Sequence, residues 1–278
     1  MNSFRFESGV AVVTGAASGI GLELTRLALK HSMRLVLADI DFKALQGVAE
    51  TLQIPKDQML LLEVDVSQEK QVKDLAEQSF KRFNHVDLLC NNAGVALNKP
   101  VWEHTHLDWE WVMSVNLFSL AHAIRYFVPP MIAQQHPSHL LNTASVAGFL
   151  NTSGLAAYNA SKHGVVSLSE TLYHELKDIN SPLGVSVLCP AWVNTNINAS
   201  ALKRPDYFGA LEEAPSVEAE KYRAQMTKAL QAAKLSAADV AQFALSGVND
   251  GVFYLVPHHK INTAIEQRMQ GILSRTNP

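Results

Sequence analysis

At 278 residues the chain exceeds one average domain and falls short of two. Lys and Arg total 23 against 26 Asp and Glu, a net charge of −3, which leaves no basic footprint for nucleic acid or an anionic membrane surface. With 47% hydrophobic and 18% charged residues, the composition excludes a disordered chain and provides for a sizeable core.

In chain order, short apolar runs of β type fall at 10–14, 34–39, 59–64, 86–90, 139–143, 185–189 and 252–256. Between them apolar residues recur at helical spacing, as in Ile20, Leu24 and Leu27 within 20–30, or Val72, Leu75, Ala76 and Phe83 within 72–83. Strands alternating with helices imply βαβ units, and strands apolar almost throughout imply a sheet covered on both faces. The expected fold is α/β, one doubly wound parallel sheet of about seven strands with helices on both faces. No repeat or Pro/Ser linker divides the chain, so 1–278 is read as a single domain. Two segments stand apart. The stretch 196–235 is long for a connection, which suits a helical lid over a ligand site, or a solvated helical excursion. The tail 257–278 carries Ile261, Ile265, Met269 and Ile272, a stripe suited to docking on its own or a neighbouring subunit.

Cys90 and Cys189, the two cysteines, each end an apolar run and read as buried thiols of a reducing compartment. The N-terminal MNSFRFESGVAVVTG lacks the pattern of a signal peptide, and the long uncharged stretches 138–161 and 182–202 are too rich in Asn, Ser, Thr, Gly and Pro for a bilayer span. A cytoplasmic protein without a membrane anchor is expected. The 11 histidines form no H-E-x-x-H and no Cys/His ligand cluster, so no metal is expected, and His258-His259 reads as surface. No serine lies in a G-x-S-x-G elbow.

The first strand runs into Thr14-Gly15-Ala16-Ala17-Ser18-Gly19-Ile20-Gly21 and then a helix. Glycines at such a turn let the backbone approach a pyrophosphate, and the helix N-terminus offers N–H donors and a positive dipole end. Asp39 ends the second strand at the separation where a carboxylate meets an adenosine ribose. The spacing G-x-x-x-G-x-G resembles the TGxxxGIG element of the short-chain dehydrogenase/reductase superfamily. The likeness extends, in the family's order, through Asp65-Val66, Asn91-Asn92-Ala93-Gly94, Asn116, Ser145, Tyr158-Asn159-Ala160-Ser161-Lys162 and Pro190-Ala191-Trp192-Val193-Asn194-Thr195. It implies a Rossmann-type fold binding NAD. Gly15, Ser18, Ile20 and Gly21 would cradle the pyrophosphate, Asp39 the ribose, and Asp65 and Val66 the adenine. Asn91 and Gly94 would form the floor, and Val193 and Thr195 would meet the nicotinamide end. Where the family usually has Pro-Gly this chain has Pro190-Ala191, a turn less permissive for positive φ.

Tyr158 and Lys162 are four apart, hence on one face if 158–172 is a helix. A phenol is a poor base at neutral pH, and a nearby ammonium favours its ionised form. Tyr158 would exchange a proton with the substrate oxygen while Ser145 stabilises charge developing there. The resemblance implies the same trio, with Lys162 also holding the nicotinamide ribose and Asn116 supporting a water-linked proton relay.

Neighbours in sequence suggest Leu97, Trp102, Phe149, Leu150, Trp192, Tyr207 and Phe208 as apolar walls for a small-molecule substrate. Lys203, Arg204, Lys221 and Arg223 offer cations to an anionic one. The reading is an NAD-dependent alcohol dehydrogenase or carbonyl reductase, a homodimer or homotetramer as family members commonly are. The alternative is a non-catalytic NAD-binding redox sensor, for which Ser145, Tyr158 and Lys162 have no use.

Overall fold

The computed structural model describes residues 6–210 and 215–277. Parts of the expected domain (1–5, 211–214 and 278), including four residues of the lid and the last of the tail, lie outside the described residues.

Seven parallel strands form one sheet in the order β3-β2-β1-β4-β5-β6-β7. They are β1 (Val10–Thr14), β2 (Arg34–Asp39), β3 (Met59–Glu63), β4 (Leu88–Asn91), β5 (Ser138–Thr143), β6 (Leu183–Leu188) and β7 (Tyr254–Leu255). Period-2 alternation sends Val10, Val12, Val36 and Ala38 to one core and Ala11, Val13, Leu35 and Leu37 to the other. Both faces are therefore apolar, as the continuous hydrophobic runs require.

Helices α1 (Gly19–Lys30), α2 (Phe42–Thr51) and α8 (Ala237–Asn249) cover one face. Helices α3 (Glu69–Phe83), α4 (His106–Met113), α5 (Ser119–Ala133) and α6 (Ala156–Asp178) cover the other. Between α4 and α5 the five residues Ser114–Phe118 widen into a π turn. α7 (Val217–Gln231) lies within the expected lid, with 3-10 turns at Asn196–Lys203 and Asp206–Phe208. Strand order reverses between β1 and β4, which opens a crevice at the carboxyl ends of the strands.

Local chemistry moved several boundaries. β4 spans Leu88–Asn91; Asp87 before it still bonds Val10 and His139 through its backbone, and at Val86 the Gln134 side-chain amide takes both backbone groups, at 2.9 and 3.0 Å. The run 252–256 yields the two residues of β7, since Val252 N–H turns back to the Gly247 carbonyl. The helix expected at 158–172 extends to Ala156–Asp178 because Leu176 continues its buried stripe. In the tail, α9 (Asn262–Ser274) has no buried residue. Ile261 and Ile265 are half-buried while Met269 and Ile272 are exposed, so the later half of the stripe lies open. No described helix is long and apolar enough to cross a membrane.

Candidate active site

The turn after β1 is shaped by glycine where nothing else fits. Gly15 and Gly19 have φ of 66° and 55°, in the left-handed region that side chains disfavour. A Cβ on Gly21 would stand 2.1 Å from the Gly15 carbonyl oxygen and 2.6 Å from the Asn92 amide nitrogen, so Gly21 lets α1 sit directly on the turn. Thr14 fastens the turn to the end of β4: its hydroxyl accepts from Asn92 N–H at 3.0 Å and Ala93 N–H at 3.1 Å. The first turn of α1 has no acidic residue and no side-chain cap, leaving its donors and dipole directed at the crevice.

Asp39 Oδ2 accepts from Ala17 N–H and Oδ1 from Asp41 N–H, each at 3.0 Å. The carboxylate thus braces the glycine turn while each oxygen keeps a lone pair for a further donor. Asp65 Oδ1 accepts from Ser67 N–H and hydroxyl, at 3.0 and 2.7 Å, and its other oxygen takes the Tyr207 hydroxyl. Tyr207, read as a substrate wall, therefore sits at the Asp65 end.

At the far side Ser145 follows β5, and α6 presents Tyr158 and Lys162 one turn apart. The Ser145 hydroxyl donates to the Pro190 carbonyl at 3.3 Å, its oxygen accepts from Ala147 N–H at 3.1 Å, and Ser145 lines the same cavity as Tyr158. Lys162 is 3% exposed. Its Nζ donates to the Thr143 carbonyl at 2.8 Å and lies 5.6 Å from the Tyr158 ring centroid. Burial lowers the ammonium to about 8. Burial likewise pushes the phenol up, against the opposing effect of Ser145. The sequence reading has Lys162 drawing the phenol down. Desolvation dominates instead, since both side chains are buried and burial disfavours the charged form of each.

Asn116 lies in the π turn. Its Oδ1 accepts from Val95 N–H at 2.8 Å, and its Nδ2 donates to the Val95 carbonyl at 2.9 Å and the Ser161 hydroxyl at 3.0 Å. It clamps the loop after β4 and stands behind the main cavity. Gly94 permits the approach, since a Cβ there would lie 3.3 Å from Asn116 Oδ1 and 3.5 Å from Lys162 Nζ.

A cavity of about 420 Å3 joins these groups, lined by Gly15, Ser18, Ile20, Asp39, Asp65, Val66, Gly94, Ser145, Tyr158, Lys162, Val193 and Thr195. Asn91 faces away, its amide donating to Asn142 at 2.9 Å; Asn92 and Ala93 line the cavity in its place. Of the expected substrate walls Trp192 lines it. Leu97 and Phe208 belong to the core, at 6% and 4% exposure. Trp102 is 77% exposed, Phe149 packs on Tyr254 at 6.2 Å between rings, and Leu150 is not among the lining residues. The apolar wall comes from Val95, Trp111, Val115, Leu155, Ile197, Met226 and Leu230, a set that the sequence reading missed. Met226 and Leu230 carry helical spacing on α7, the one signal by which they were findable.

The expected lid cations are spoken for or remote. Lys203 lines the cavity and pairs with Asp41 at 3.0 Å. Arg204 is buried on Asp108 with its guanidinium 5.3 Å from the Trp111 ring. Burial alone would raise the Asp108 carboxyl, yet hydrogen bonds from Arg204 and Lys99 hold it at about 2. Lys221 and Arg223 are exposed on α7. Ser200 binds the Ala96 backbone, its oxygen accepting from N–H at 3.0 Å, so the segment before α7 is tied to the loop after β4.

Cys90 and Cys189 are free and buried, and burial pushes both thiols up to about 12. No cluster of metal-ligating side chains occurs among the described residues. His258, read as surface, is partly buried, and its Nδ1 accepts from Ala191 N–H at 3.1 Å. Ala191 stays outside the left-handed region, so Pro-Ala fits this turn without strain.

Residues 9–206 match the short chain dehydrogenase family. A CLA biosynthesis dehydrogenase/reductase of Lactiplantibacillus plantarum is 32% identical over 279 residues, covering 98% of this chain and 96% of that protein. A 1-deoxy-11-beta-hydroxypentalenate dehydrogenase of Streptomyces avermitilis is 36% identical over 193 residues, 69% of this chain and 71% of that one. Among solved structures, a short chain dehydrogenase/reductase from Burkholderia phymatum in complex with NAD superposes with a TM-score of 0.95 at 39% identity, covering 99% and 98% of the two chains.

Proposed function

The chain belongs to the short-chain dehydrogenase/reductase family, and on that premise we propose that it interconverts a secondary alcohol and a ketone on a mostly apolar small molecule, with NAD(H) as cofactor. The observation that carries the reading is that Ser145, Tyr158 and Lys162 line one cavity continuous with the glycine turn and Asp39. The cradle fits a dinucleotide: Gly15 and Gly19 line the cavity without side chains, Gly21 lets α1 close on the turn, and the acid-free start of α1 suits a pyrophosphate. The NAD bound to the Burkholderia relative supports the same cofactor here.

NAD, when bound, supplies the hydride acceptor. Ser145 donates a hydrogen bond to the substrate oxygen and steadies its developing charge. Tyr158 takes the hydroxyl proton in the oxidative direction and returns it in the other. Lys162 is fixed by the Thr143 carbonyl, so its charge stands beside the phenol and the nicotinamide ribose. Asp39 accepts from the adenosine ribose and Asp65 from the adenine. Asn116 holds the 94–95 loop that floors the site and supports proton passage. Segment 196–235 acts as the lid, and the wall from Leu155 to Leu230 favours apolar substrates and excludes water. The exposed stripe of α9 supports assembly into a homodimer or homotetramer.

The test mixes the protein and NAD with hydrophobic cyclic, aromatic and steroid-like secondary alcohols and follows the near-ultraviolet absorbance of reduced nicotinamide. Turnover is expected with at least one class. Tight NADH binding with no turnover on any alcohol or matching ketone would instead support the redox-sensing reading.

A further inference from the structure

The turn 190–195 carries Val193 and Thr195 to the nicotinamide end of the proposed cofactor site, and it begins where the sheet stops. β6 and β7 pair as Val187↔Tyr254 and Leu188↔Leu255, and the ladder makes one more bond, from Cys189 N–H to the Leu255 carbonyl at 2.8 Å. Pro190 has no N–H to continue it. Ala191 does, and its position in register is opposite His258, three residues past the last pair on each strand. At that point the partner is a side chain: Ala191 N–H donates to His258 Nδ1 at 3.1 Å.

On its other side the turn is held by the catalytic segment. The Pro190 carbonyl accepts from Val146 N–H at 2.9 Å and from the Ser145 hydroxyl at 3.3 Å. The backbone that presents Val193 and Thr195 thus hangs between Ser145 and the first residues of the C-terminal tail. Pro190, Ala191, Trp192 and Val193 all line the cavity.

We propose that His258 is a positioning residue for the nicotinamide half of the cofactor, its imidazole fixing the 190–195 turn from behind through the Ala191 N–H. This rests on the NAD reading above. An imidazole that accepts at Nδ1 carries its proton at Nε2. Burial lowers its pKa, with the Trp192 backbone opposing, which keeps the neutral acceptor form in place. His258 touches neither substrate nor the reacting atoms, so it acts through the turn. Ala191 makes this bond from outside the left-handed region.

The test uses the full chain with His258→Leu, which removes the acceptor, and His258→Asn, whose Oδ1 reaches the place of Nδ1 and accepts in its stead. Affinities for NADH and for ADP-ribose, which lacks the nicotinamide, are measured by calorimetry. Exchange of the Ala191 amide is followed in the unliganded proteins. His258→Leu should bind NADH about tenfold more weakly, in line with an amide left unpaired, while ADP-ribose binding stays near wild type and the Ala191 amide exchanges faster. His258→Asn should restore both. Unchanged NADH binding in His258→Leu overturns the inference, as does a parallel loss of ADP-ribose, which would mark a merely structural role. A wild-type protein that binds neither ligand overturns the cofactor reading and this inference with it, whereas wild-type binding with an indifferent variant overturns the inference alone.

Discussion

Lys162→Met should make the unliganded protein more stable while abolishing turnover. The ammonium is 3% exposed, and burial lowers it from 10.5 to about 8. At ~1.4 kcal/mol per pKa unit, the folded state carries a penalty of about 3 kcal/mol when the lysine is protonated. The Nζ bond to the Thr143 carbonyl is lost in the variant at a cost of about 1 kcal/mol. The net gain is then roughly 2 kcal/mol at neutral pH, or about 4 °C in Tm for a chain of this size. The sign has a pH signature. Between about 8 and 10.5 the unfolded lysine keeps its proton and the folded one loses it, so wild-type stability rises with pH across that window and the variant's advantage shrinks. Calorimetric Tm values of both proteins from neutral pH to 10.5 read this directly. A lower Tm for the variant at neutral pH, or a difference constant across the window, would refute the reasoning.

Tyr158→Phe should lower kcat by at least ~100-fold with NADH affinity little changed, since only the proton donor is removed; stopped-flow turnover beside calorimetric binding decides it, and near-normal turnover excludes the assignment. Wild type should prefer NAD over NADP, and Asp39→Ala should shrink that preference in kcat/KM, because a 2′-phosphate meets the Asp39 charge at the end of β2. Equal use of both cofactors by wild type would count against the ribose role. Gly21→Ala should destabilise by about 1–3 kcal/mol and weaken NADH binding, its Cβ falling 2.1 Å from the Gly15 carbonyl. A normal Tm with normal binding would show that the turn yields.

The groups proposed to hold a dinucleotide are legible in the sequence because their chemistry is local. Gly15 to Gly21, Asp39 and the Tyr158/Lys162 pair are set by backbone conformation, strand ends and helical spacing, all readable within a few residues. The apolar wall of the cavity is not, because it is assembled by docking. Trp102 is near the site in sequence yet 77% exposed, while Met226 and Leu230 reach the cavity from α7 across a long connection. Charges were similarly opaque. Arg204 reads as a free cation until Asp108, 96 residues earlier in the chain, is seen buried against it. The direction of the Tyr158 shift also depended on packing, since spacing gives the distance between two groups and says nothing of how dry they are.

The π turn at Ser114–Phe118 makes chain length, rather than residue identity, the sensitive variable in this part of the protein. Ser119 N–H reaches back five residues to Ser114, and the Ser119 hydroxyl accompanies it by donating to the Val115 carbonyl at 2.6 Å. Deleting one residue of the five other than Asn116 would let the backbone relax into ordinary α geometry, and the direction in which Asn116 projects would change with it. Asn116 would then swing off Val95 and Ser161 even though no side chain had been altered. Relatives that keep this asparagine but are one residue shorter between Met113 and Ser119 would have to hold the 94–95 loop by some other group.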